Sequence, residues 1–145
     1  MRQLKLLRLL VVVLLLTGCL SPRLNFTISP ATIIITEGQD TLENLVLKVK
    51  TSGFSLKYVI DQALVEITGE DREEPLLEKV IDLGITTPVG FGAGKDVKLD
   101  PISLGSISEL QEGAYETALK GKQYTLTIVL TGTKESKATA VVKFE

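Results

Sequence analysis

The chain has 145 residues with 16 basic and 18 acidic side chains, one cysteine, no histidine and no tryptophan. A single cysteine excludes an intramolecular disulfide, and the lack of histidine excludes histidine-based catalytic triads and the common histidine-containing zinc sites. The formal net charge of −2, with no local basic cluster visible along the sequence, argues against nucleic acid as a partner.

Met1 to Arg8 carries Arg2, Lys5 and Arg8, and the uninterrupted apolar run Leu9 to Leu16 follows. A charged start and a short apolar core make an export signal, and the run is far short of the roughly 20 residues that a bilayer-spanning helix needs. The run ends in Leu16-Thr17-Gly18-Cys19, which contains the only cysteine. These four residues resemble the lipobox of bacterial lipoproteins. The resemblance implies that residues 1–18 are a cleaved signal peptide, with Leu16, Thr17 and Gly18 recognised by the processing enzymes. It further implies that Cys19 becomes the lipid-bearing first residue of the mature chain. A non-lipidated signal peptide and a buried N-terminal helix are the alternatives. Two or three acyl chains hold durably in a bilayer where one is marginal. Cleavage before Cys19 leaves 127 residues with 13 basic and 18 acidic side chains, a mature net charge of −5.

Residues 19–25 read as the lipidated N-terminus and a short tether, and 26–145 as a single domain. Phe26–Ser29 and Ala31–Thr36 read as one strand interrupted at Pro30 or as two short strands, with the proline favouring a sheet edge. Asn44 to Lys50 alternates with Leu45, Leu47 and Val49 on one side. Ser55 to Thr68 reads as strand with a bend or bulge at Asp61, and a helix over 57–67 is less favoured because β-branched residues are frequent. Gly69 to Pro75 is a charged turn. Leu76 to Leu83 fits a short helix or a strand, and Gly84 to Gly94 reads as a loop. Lys95 to Asp100 alternates again, Ile102 to Ile107 is short and extended, and Ser108 to Leu119 has helical character weakened by Gly113. Tyr124 to Leu130 is the strongest strand, and Lys137 to Phe144 returns after a loop over Thr131–Ser136.

Seven or more strands separated by frequent turns predict an all-β fold, a two-sheet β-sandwich. Leu119-Lys120-Gly121-Lys122-Gln123-Tyr124, followed by an alternating strand, resembles the tyrosine corner of immunoglobulin-like and fibronectin-type domains. The resemblance implies an immunoglobulin-like sandwich in which the Tyr124 hydroxyl bonds to backbone a few residues upstream and Leu119 packs beneath the ring. An ordinary strand-edge aromatic is the other reading of Tyr124.

Candidate chemistry is sparse. Gly90-Phe91-Gly92-Ala93-Gly94-Lys95-Asp96 fails as a phosphate loop, because Val89 stands where a glycine is needed and Asp96 where a magnesium-binding hydroxyl is needed. Phe91 is either a partner-facing loop residue or a hydrophobic plug for one end of the sandwich. Glu70-Asp71-Arg72-Glu73-Glu74 reads as a solvated acidic turn, with weak calcium binding as the alternative. No spacing singles out a catalytic acid and base, so no catalytic residue, metal site or cofactor is expected. The expected function is that of an extracytoplasmic lipoprotein, bound to the cell membrane or outer membrane through Cys19. It would serve as a non-catalytic module for protein interaction or envelope assembly, with an envelope protein as partner. The alternatives are a binding module for a small molecule or surface glycan, with Tyr58, Tyr115 or the phenylalanines as stacking platforms, and a carboxylate hydrolase.

Overall fold

Period-two alternation of apolar side chains sets the layers of the protein, seen in a computed structural model that describes residues 22–53, 57–87 and 93–145. The expected signal peptide, its recognition residues Leu16, Thr17 and Gly18, the lipid site Cys19, and Phe91 lie outside the described residues. In chain order the strands are β1 (Arg23–Ser29), β2 (Thr32–Ile35), β3 (Thr41–Leu42), β4 (Val46–Ser52), β5 (Tyr58–Thr68), β6 (Leu77–Thr87), β7 (Ala93–Lys98), β8 (Ile102–Ser103), β9 (Gln123–Gly132) and β10 (Ser136–Phe144). A 3₁₀ turn, Ser108–Leu110, and the single-turn helix α1, Tyr115–Ala118, lie between β8 and β9.

The strands form a three-stranded sheet in the order β1-β4-β7, a curled five-stranded sheet in the order β2-β10-β9-β5-β6, and the short pair β3-β8. All pairings are antiparallel except β2 with β10. Phe26 and Ile28 from β1, Leu47 and Val49 from β4, Val65 and Ile67 from β5, Leu126 and Ile128 from β9, and Val142 and Phe144 from β10 join one buried core. The result is a strand-rich, sandwich-like domain.

The chain crosses between the two larger sheets at Pro30, whose peptide bond to Ser29 is cis. β1 and β2 are therefore separate strands, each at the margin of its own sheet, where a residue without an N–H donor leaves no ladder partner unsatisfied. β1 opens at Arg23, so the strand claims the last three residues of the expected 19–25 tether: Leu24 is buried and Arg23 pairs with Ser52. The irregularity expected at Asp61 is present, as a register shift between Ile60 and Gln62 against both β6 and β9.

Of the two readings left open for Leu76 to Leu83, the strand is the one formed, from Leu77, and one segment differs from its sequence reading: the strand continues through Gly84 to Thr87, where a loop was expected. Gly84, at φ 56°, sits between the Gln62–Asp82 and Ile60–Ile85 pairs, so it serves a bulge within β6 and does not end the strand. Ala93 and Gly94 likewise belong to β7.

The expected tyrosine corner also differs. The Tyr124 hydroxyl donates to Oδ2 of Asp71 at 3.3 Å, a side chain 53 residues away in sequence and not the nearby upstream backbone. The backbone-bonding tyrosine is Tyr115: its hydroxyl proton is shared between the carbonyl oxygens of Glu145, at 2.7 Å, and Ile35, at 3.1 Å. The physical reason is position. α1 brings Tyr115 over the joined ends of β2 and β10, whereas Tyr124, the second residue of β9, points its hydroxyl toward the β5–β6 turn. Both rings pack edge-on against Phe144, at centroid distances of 6.4 and 5.4 Å. Leu119 is fully buried in the same core.

Removal of each hydroxyl separates these roles. Tyr115→Phe takes a donor from buried backbone carbonyls and is expected to cost about 1–2 kcal/mol in urea unfolding. Tyr124→Phe is expected to cost less, because Lys122 still serves Asp71. The reverse order would show that the Tyr124–Asp71 bond contributes more to stability than the backbone bonds of Tyr115.

Candidate functional site

Two surfaces of the domain offer groups that a ligand or partner could meet, and they differ in how far those groups are already committed. The first is the seam at the turn joining β5 to β6. This turn holds Glu70-Asp71-Arg72-Glu73-Glu74, and two of its five charged residues are tied down. Lys122 Nζ donates to Asp71 Oδ2 at 2.9 Å, and Arg72 Nη1 donates to Glu109 Oε1 at 2.8 Å. The turn is thereby stapled both to the residues that precede β9 and to the 3₁₀ turn. Gly69 is required for this closeness, since an added Cβ would lie 2.8 Å from both Asp71 Oδ1 and the Tyr124 ring.

The hydrogen bond from Lys122 is the main cause that holds the Asp71 carboxyl below the usual carboxylate range, and the bond from Arg72 does the same for Glu109. Burial raises the Tyr124 hydroxyl, reinforced by its bond to Asp71, so it stays protonated and donates. An open depression of about 730 Å³ lies here, lined by Thr68, Gly69, Asp71, Lys122, Tyr124 and Thr125. Asp71 and Lys122 satisfy one another, and Glu70, the other charged side chain of the lining, is exposed at its rim, so no acid and base are aimed at a common point. Among the described residues, no group of three or more acidic or cysteine side chains is placed to hold a metal ion.

The second surface is the margin and outer face of the five-stranded sheet. β6 is its last strand and runs for 11 residues with β5 on one side only; no strand among the described residues pairs with its other edge. Two large apolar side chains among the described residues are exposed, Val80 at 55% and Ile34 at 51%, and both sit on marginal strands of this sheet. Val80 pairs with Leu64, Leu64 with Val129, and Val129 with Lys137, so an apolar row crosses three strands on the outer face. One side of the row is flanked by Glu66 directly opposite Glu78, and the other by the 2.8 Å hydrogen bond from Gln62 to Asp82.

The sequence-expected residues divide accordingly. Tyr124 and Leu119 are structural members of the core. Tyr58, Tyr115, Phe26 and Phe144, the described aromatics considered as sugar-stacking platforms, are all buried; the Tyr58 and Tyr115 hydroxyls bond to backbone carbonyls. Sequence reasoning missed Val80, because its exposure depends on β6 being a sheet margin. It also missed the Asp71, Lys122 and Glu109, Arg72 pairs, whose members are far apart in the chain.

No protein-family model matches the chain, and neither does any curated protein. The class defined by fold and surfaces is an all-β, sandwich-like domain with no catalytic constellation assembled among its described residues.

The seam makes stability depend on acid. A carboxyl whose folded pKa lies below its unfolded value contributes stability above the unfolded pKa and loses it as pH falls through the folded one. Asp71 and Glu109 are both of this kind, so the urea midpoint is expected to drop as pH falls below about 4. In Arg72→Ala the midpoint should be lower at neutral pH and the acid slope shallower, because Glu109 has lost its partner. Parallel curves would remove the pair from the stability balance.

Proposed function

We propose that the protein is an exported lipoprotein whose immunoglobulin-like sandwich acts as a non-catalytic interaction module at a membrane surface, for an envelope protein partner. The observation that carries the reading is the sequence of basic start, apolar run and Leu16-Thr17-Gly18-Cys19. Folded sequence begins soon after it: β1 opens at Arg23, four residues past Cys19. At no more than about 3.6 Å per residue this link spans about 14 Å, so the domain rides close to the bilayer.

The immunoglobulin-like reading is supported by strand order. β1, β4 and β7 stand where such domains place strands A, B and E, and β5, β9 and β10 stand where they place C, F and G. Recognition is assigned to the β6 margin. An extended partner segment can add a strand there, with main-chain hydrogen bonds giving affinity and side-chain pockets giving specificity. The complementary segment carries an apolar side chain beside Val80 and a basic one beside Glu78.

Intact mass and membrane fractionation of the natively expressed chain test the anchor. The expected product is a mature chain that starts at Cys19, carries acyl groups and sediments with membranes. Cys19→Ser should give retained precursor or released protein. An unmodified full-length chain in the cytoplasm would end this reading. A photo-crosslinking residue at Val80 tests the recognition surface: it should capture a discrete envelope protein that the same residue at Glu112, on the exposed turn before α1, does not.

A further inference from the structure

Basic residues that are scattered along the sequence meet at one end of the folded domain. Register places that end: Arg23 pairs with Ser52, Thr51 with Ala93, Tyr58 with Thr87, and Leu130 with Ser136. The sheets are tied together there by the 3.0 Å bond from Ser136 Oγ to the Leu24 carbonyl, and the β9–β10 hairpin by the 3.0 Å bond from the Tyr58 hydroxyl to the Lys134 carbonyl. Arg23, Lys50, Lys57, Lys95, Lys134 and Lys137 are all exposed at or near this end, and they outnumber the exposed acidic side chains among them, Asp61, Asp82, Asp96 and Glu135. The opposite end holds the β5–β6 turn with Glu70, Asp71, Glu73 and Glu74, the 3₁₀ turn with Glu109, and Glu112 and Glu116 in and before α1; the basic side chains Arg72, Lys120 and Lys122 there are each paired to one of these carboxylates, which leaves the acidic groups in excess. The domain is therefore electrically polar along its strands, although its overall charge is acidic.

From this polarity we infer that the basic end is a docking surface for an anionic lipid bilayer and sets the orientation in which the domain stands on the membrane. The inference rests on the lipid-anchored reading and deepens it. The link from Cys19 leaves from Arg23, so the basic end is the one held within about 14 Å of the headgroups. That is close to the Debye length of about 10 Å at 0.1 M salt, so the charges there feel an anionic surface. β5 and β6 are each 11 residues long, which puts the acidic end about 36 Å further out, beyond the screening distance. An acidic end turned toward the surface would be repelled. Attraction holds the basic end down, and any tilt that brings the acidic end within screening distance meets repulsion, so the domain stands upright with the β9–β10 hairpin against the lipid and the acidic turn facing away.

The test uses the natively lipidated chain. Lipid on Cys19 leaves no free thiol, so Lys134→Cys and Glu112→Cys each create a unique labelling site. Each labelled chain is reconstituted into vesicles carrying an acceptor lipid, either of neutral phosphatidylcholine or with anionic phosphatidylglycerol added. On anionic vesicles, energy transfer from position 134 should exceed that from position 112. The difference should shrink on neutral vesicles, at about 0.5 M salt, and when Arg23, Lys95 and Lys137 are all changed to Glu. These three substitutions lie on exposed positions and should leave the unfolding midpoint nearly unmoved. Equal transfer from the two sites on anionic vesicles overturns the orientation, as does a basic end that holds a soluble polyanion in preference to those vesicles. Intact mass separates the two readings: a chain without lipid overturns both, whereas a lipidated chain with equal transfer overturns the orientation alone.

Discussion

Strand β9 is the constraint on which the other strands depend. It is hydrogen-bonded along both edges, to β5 and to β10, and it buries Tyr124, Leu126, Ile128 and Leu130 on one face. Each fully buried aliphatic side chain contributes roughly 1.5–3 kcal/mol. In a chain with one cysteine and no disulfide, such burial together with the sheet ladders is what holds the two layers together. The positions of the margins follow. β10 carries β2 on its far side and β5 carries β6, so the sheet must end at β2 and β6. It is on these two strands that Ile34 and Val80 are left facing water.

The three tyrosines complete the ends of the sandwich. A buried phenol needs a hydrogen-bond partner, and each finds one at a different join. Tyr58 reaches the β9–β10 hairpin, Tyr115 reaches the ends of β2 and β10, and Tyr124 reaches Asp71 at the β5–β6 turn. No buried side-chain polar atom among the described residues lacks a partner. The two ends are thus built alike in hydrogen bonding but are opposite in charge, and the difference lies in their exposed residues.

These features divide the surface by task in the proposed function. The basic end near the Cys19 link meets lipid, and the β6 margin offers backbone groups and an apolar row to a partner strand. The depression beside Tyr124 has its Asp71–Lys122 pair committed to holding the β5–β6 turn, so it serves the fold before it serves a ligand. The bulge at Gly84 and the charges Lys79 and Asp82 keep the β6 margin from being a flat apolar edge, which favours one complementary strand over indiscriminate pairing.

Much of the fold was legible in the sequence because alternation is a local property. Leu45, Leu47 and Val49, or Leu126, Ile128 and Leu130, declare a buried face from spacing alone, and Asp61 declared its bulge by interrupting two such runs. The residues that resemble an export signal and a lipobox are also contiguous in the chain, and the proposed anchoring rests on them. What the sequence left open depends on contacts between residues distant in the chain. Leu76 to Leu83 fits helical and extended spacing equally well, and the free edge of β5 made it a strand. Tyr124 has the sequence neighbours of a tyrosine corner, yet α1 brought Tyr115 to the backbone carbonyls first. Arg23, Lys50, Lys95, Lys134 and Lys137 form no cluster in one dimension. Only the antiparallel registers, which fold strand starts against strand ends, gather them at one pole and gave the domain its electrical direction.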